Sequence, residues 1–153
     1  MSTAKTEPLT SSPTSQRVPA TLRMPPRTIV GALWLFVTLN FLYCDVLSLH
    51  DRVYLNAIFT GSAGGVVFTE PVLLAASILM TIPMAAVLLS RIAPHGVARW
   101  YSVVAGIVMA VVQVGTLGFG TAPTLQYLYF SAIEIVTTAV IAWYAIARWR
   151  IDN

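Results

Sequence analysis

Long apolar runs alternate with short polar connections along this chain, and four of the runs are long enough to cross a lipid bilayer. They cover about 28–49, 71–90, 100–120 and 125–147. At a helical rise of about 1.5 Å per residue, each matches a hydrocarbon core of about 30 Å. Lipid offers the backbone no hydrogen-bond partners, so each run must satisfy its own peptide groups as a helix. The predicted fold is therefore all-α, an integral membrane bundle of four transmembrane helices over 28–150.

Polar residues inside the runs fall in rows. In the first run Trp34, Thr38, Phe41, Asp45 and Ser48 recur at three-, four- and seven-residue steps and share one face, with Asn40 and Cys44 in the next row. That face should turn inward, because polar side chains aimed at lipid find no partner. The second run opens with Thr69, suited to an N-cap, and Pro71 in the first turn, while Pro83 lies inside it. In the third run Ser102, Gly106 and Ala110 fall every four residues, a spacing that lets a neighbouring backbone approach. The fourth carries Tyr127, Ser131, Glu134 and Thr138 as one stripe.

The connections are less informative. Residues 1–27 hold fourteen Ser, Thr or Pro and read as a disordered cytoplasmic tail. The longest internal connection, 50–70, places Tyr54, Leu55, Ile58 and Phe59 on one side of a short interfacial helix, after which Gly61, Gly64 and Gly65 break the pattern. A surface loop is expected there. No internal repeat relates the first pair of spans to the second.

Charge sets the orientation. With the N-terminus inside, eight of the nine basic residues are cytoplasmic (Lys5, Arg17, Arg23, Arg27, Arg91, Arg99, Arg148 and Arg150), and Arg52 alone is outside. That asymmetry predicts both termini in the cytoplasm. Scattered between apolar segments, the same residues form no basic stripe, which excludes nucleic acid as a partner. The 57% apolar and 10% charged residues take the chain out of the soluble class altogether.

Little catalytic chemistry is on offer. The one cysteine, Cys44, sits among apolar neighbours and excludes an internal disulfide. His50 and His95 belong to opposite membrane faces, so they cannot clamp one haem. His50, Asp51, Asp45 and Glu70 are metal-ligand types without a metal-binding spacing. No metal, no cofactor and no nucleophile–base pair is assigned, and the reading leans away from an enzyme.

Three stretches carry a resemblance. YCDVLSL from Tyr43 to Leu49, LLAASILMTIPMAAVLLS from Leu73 to Ser90 and YFSAIEIVTTAVIAWYA from Tyr129 to Ala145 resemble an uncharacterised bacterial family of four-span membrane proteins, classed as a domain of unknown function. The resemblance extends over nearly all of Thr28 to Arg148. It implies the four-helix fold and a bacterial inner membrane, and no activity.

Placing the spans on one depth axis gathers polar groups in the outer half: Asp45, Glu70, Gln113 and Glu134, with Asn40, Ser77 and Thr81 near the same level. Glu134 is the costly member. An acid near the middle of a span must be neutral, partnered or facing water, and no span contains a Lys or Arg to pair with it. It is expected to be protonated or to share hydrogen bonds with Gln113 or a tyrosine. Two function classes follow. One is a small transporter or a proton- or cation-binding protein with Glu134, Asp45, Gln113, Glu70 and Asn40 as its site. The other is a non-catalytic accessory or scaffold subunit, in which the same residues are interhelical glue. Beyond the lipid bilayer, the partners expected are a second copy or another membrane protein, and a small cation or proton.

Overall fold

A computed structural model describes residues 24–63, 65–118 and 123–149. Most of the expected tail, Arg150 and part of the turn before the fourth span lie outside these residues. Four 23-residue helices dominate: α1 (Pro26–Ser48), α3 (Glu70–Ile92), α4 (His95–Leu117) and α5 (Leu125–Ala147). Each is long and apolar enough to cross a membrane. Between α1 and α3 lie a short helix, α2 (Arg52–Phe59), and a small hairpin of β1 (Ser62–Ala63) and β2 (Val66–Val67).

The helix ends have local causes. Proline in the first turn of α1 and of α3 lacks only an N–H that would go unpaired there. Thr124 accepts from the Tyr127 amide and starts α5, and Asp51 accepts from the Val53 amide and starts α2. Thr69, expected to cap α3 with its side chain, makes no such bond. Gly61 follows the C-cap residue of α2, Thr60, at φ +81°, a left-handed position that costs glycine little, and its amide bonds back to Ile58. Gly65 takes the same φ in the antiparallel turn that pairs Ser62 with Val67 and Ala63 with Val66.

The four long helices close a ring in which α1 packs on α3 and α5, and α4 packs on the same two. Trp34 reaches across this ring from α1, and its indole N–H donates to Ser102 Oγ of α4 at 3.2 Å. Around it Val30, Val37, Met109, Ile141 and Ala145 form the buried core. The small-residue row of α4 works as its spacing implies: Ser102 and Gly106 are buried, and a Cβ at Gly106 would stand 3.0 Å from the Thr138 carbonyl oxygen of α5. Gly31 plays the same part between α1 and α3, where a Cβ would meet Ser90 Oγ at 2.8 Å. Pro83 is buried within α3, which continues through it.

Arginines tie off one end of the bundle. Arg27 donates to the Ala93 carbonyl just past α3. Arg99 donates to the Ala145 and Ile146 carbonyls in the last turn of α5. Cations there bond carbonyls at the helix ends and lie at the negative end of the helix dipole. His95 packs edge-on against Trp149 at the same end. The outward faces carry Leu35, Phe36, Leu42, Leu74, Ile78, Val104, Val111, Val136 and Val140, all exposed, as lipid contact requires.

Candidate functional site

At the end of the bundle opposite the arginines, a cavity of about 130 Å³ opens between the helices. Asp45, Gln113 and Glu134 line it, with Cys44, Thr116 and Tyr127. Apolar walls come from Phe41, Leu79, Met80, Met109 and Val112. Asp45 and Glu134 thus share one cavity, although they lie 89 residues apart on different helices, and nothing in their local sequences pairs them.

Helical register explains the convergence. Ser131, Glu134 and Thr138 lie at three- and four-residue steps on α5 and are all buried, so this stripe faces the interior. The Thr138 hydroxyl donates back to the Glu134 carbonyl at 2.7 Å and is consumed by its own helix. On α4 the Gln113 amide donates to Ser131 Oγ at 2.9 Å, which fixes α4 against α5 beside the cavity. The Tyr127 hydroxyl donates to Thr116 Oγ1 at 2.8 Å, and Thr116 donates to the Gln113 carbonyl.

Of the two states expected of Glu134, protonated or hydrogen-bonded by Gln113 or a tyrosine, these bonds bear on the second. Its side chain is 1% exposed, and neither carboxyl oxygen has a hydrogen-bond partner among the described residues. One N–H of Gln113 goes to Ser131, and the Tyr127 hydroxyl goes to Thr116. Leaving a buried acceptor unmade costs about 1–3 kcal/mol, and native interiors rarely tolerate it. Asp45, by contrast, is exposed on one side and lines the cavity on the other, which places it at the mouth.

Other residues expected at the site lie elsewhere. Asn40 is partly buried, and its amide donates to the Phe36 carbonyl of its own helix at 3.2 Å. Glu70 is exposed in the first turn of α3, where an acid complements the helix dipole. Neither lines the cavity. Ser77 and Thr81 are exposed and donate to carbonyls one turn back on α3, so α3 contributes only Leu79 and Met80 to the cavity. Polar groups therefore converge from three helices and not from four. No three His, Cys, Asp or Glu side chains gather into a metal-binding group among the described residues.

The α2 helix sits near the mouth. Burial pushes the Tyr54 phenol above its ordinary value, and the negative charges that Asp45, Tyr127 and Cys44 can carry push it the same way. The expected loop over 50–70 is thus a capped helix and a hairpin, with Tyr54 within electrostatic range of Asp45. A second hollow, about 350 Å³, is a groove on the outer side of α5 lined by Tyr129, Ala132, Ile133, Val136 and Thr137. Its lining residues include no acid.

Comparison with known sequences adds a family without an activity. The profile of a family of unknown function (DUF6326) matches residues 24–153, which takes in the last four residues of the expected tail and everything after it. No curated protein and no solved structure matches the chain.

Proposed function

The chain belongs to the DUF6326 family, whose function is unknown, and from that premise we propose a small transporter or ion- or proton-binding membrane protein with Asp45 and Glu134 as its exchangeable acids. One observation carries the reading. Glu134 is buried in a cavity with both oxygens unpartnered among the described residues, while the Tyr127 hydroxyl and one Gln113 N–H are engaged elsewhere. An acid retained as interhelical glue would hold a donor. An acid retained for a proton or cation keeps its oxygens free, and intramembrane acids commonly mark such paths.

Charge supports the direction in which the site would open. Among the described residues Arg27, Arg91, Arg99 and Arg148 stand at one end of the bundle, and Arg52 stands beyond the other. The positive-inside rule then assigns the arginine end and both termini to the cytoplasm, with the cavity facing outward across a bacterial inner membrane. Asn40 and Glu70 have supporting places in this scheme: Glu70 near the outer surface adds negative potential, and Asn40 lies on the helix that carries Asp45.

The test is flux through the purified full chain in liposomes under an imposed pH gradient. Wild type is expected to move protons or cations, and Glu134→Gln is expected to fall to the level of protein-free vesicles. Normal flux in Glu134→Gln would sink the reading.

A second reading, a non-catalytic accessory subunit, draws on α3. Only 11% of its apolar window is buried, against 33–39% for the other three spans, so α3 leaves the widest face for another membrane protein or a second copy. Mild detergent extraction that yields a lone, stable chain from native membranes would discard it.

A further inference from the structure

We infer that the ligand of the Asp45–Glu134 cavity is a short-chain alkylammonium ion, its charged head at the carboxyl groups and its apolar body against Phe41, Met80 and Met109. The inference rests on the acidic-site reading above and names the class of ligand for that site.

The lining makes the choice. Beyond the two carboxyl groups, oxygen donors in the cavity are few. Thr116 and Tyr127 bond each other, and Thr116 also donates to the Gln113 carbonyl, which leaves mainly the Gln113 side-chain amide. Calcium takes about six to eight oxygen ligands and magnesium a near-ideal octahedron, and the remaining walls are Phe41, Leu79, Met80, Met109 and Val112. A hard ion would lose its water to hydrocarbon and thioether. An alkylammonium ion presents donors to the carboxyl groups at one end and buries methylenes at the other, where each contributes about 0.8 kcal/mol.

Size narrows the class. A cavity of about 150 Å³ takes benzene, so about 130 Å³ accommodates a body of roughly four to six heavy atoms. Propyl- and butylammonium fall within that range. Charge agrees: one cation takes the place of one exchangeable proton, so the net charge of the pair is the same with and without it. An anion would face two acids and no Lys or Arg among the lining residues.

The test is calorimetric titration of the purified full chain in detergent with butylammonium, potassium and butanol as probes. Butylammonium should bind, and potassium and butanol each about tenfold or more weakly, since a charge-assisted hydrogen bond and a buried alkyl body each account for that factor. Glu134→Gln should weaken butylammonium about tenfold or more, and Asp45→Asn, at the exposed mouth, should weaken it without loss of fold. Potassium binding as tightly as butylammonium, with both lost in Glu134→Gln, would overturn the ligand class and leave the acidic site standing. Butanol binding as tightly as butylammonium would also overturn it. If no probe binds while Glu134-dependent proton flux persists, the inference fails alone. If that flux is absent too, both fail.

Discussion

Glu134→Met should make the protein more stable. The two side chains have similar length and volume, so the substitution leaves the packing of α5 nearly unchanged. It removes two buried oxygens that have no hydrogen-bond partner among the described residues, and relief of such a group is worth about 1–3 kcal/mol. The sign matters more than the size. If Glu134 were interhelical glue, its replacement by an apolar residue would destabilise the bundle. If it is held for a proton or cation, its replacement should raise the unfolding midpoint and remove the activity, the trade commonly found where a site is kept at the expense of stability. Unfolding in a graded denaturing detergent, followed by near-ultraviolet circular dichroism, gives the sign directly.

Gly106→Leu should do the reverse. A Cβ there stands 3.0 Å from the Thr138 carbonyl oxygen and 3.2 Å from Ala142 Cβ, both closer than ordinary contact. The backbone of α5 cannot yield as a flexible side chain can, so leucine forces α4 and α5 apart. The cost is about 3 kcal/mol or more, a large fraction of the roughly 5–15 kcal/mol that holds a typical domain folded. Separation would also break the Gln113–Ser131 bond beside the cavity. Gly115→Leu on the same helix is the control, since nothing among the described residues stands within 4 Å of a Cβ at Gly115. It should unfold like wild type in the same detergent titration.

These two positions show what could be read from the chain. Apolar run length alone locates four long helices, because lipid leaves the backbone no other arrangement. Run length locates helix ends less well. α4 begins at His95, five residues before its apolar run, because backbone hydrogen bonding continues past the lipid-matched part and Arg99 finds partners on α5. The hairpin after Gly61 escapes notice because two-residue strands carry no periodicity. Gly106 is legible because small residues every four positions place one face of a helix against a neighbour.

The candidate site is legible in depth and not in rotation. Asp45, Gln113 and Glu134 sit at similar levels in the sequence and do line one cavity. Ser77 and Thr81 sit at the same level and face outward. Their hydroxyls bond to their own helix, so such residues say little about which way a span turns. Phe41, Met80 and Met109, the walls that narrow the ligand class, look like any other apolar residue of a span until the helices are assembled. Likewise, that Glu134 has no hydrogen-bond partner among the described residues has no signature in the sequence, which cannot show that the Tyr127 hydroxyl and one Gln113 N–H go to other residues.

The central claim is that Glu134 is an exchangeable acid. Its most direct test is proton release from the purified, weakly buffered chain as cations are added, followed with a pH indicator. Wild type should release protons in proportion to the cation bound, and Glu134→Gln should release none. Equal release from both proteins, or none from wild type at any cation concentration, would contradict the account.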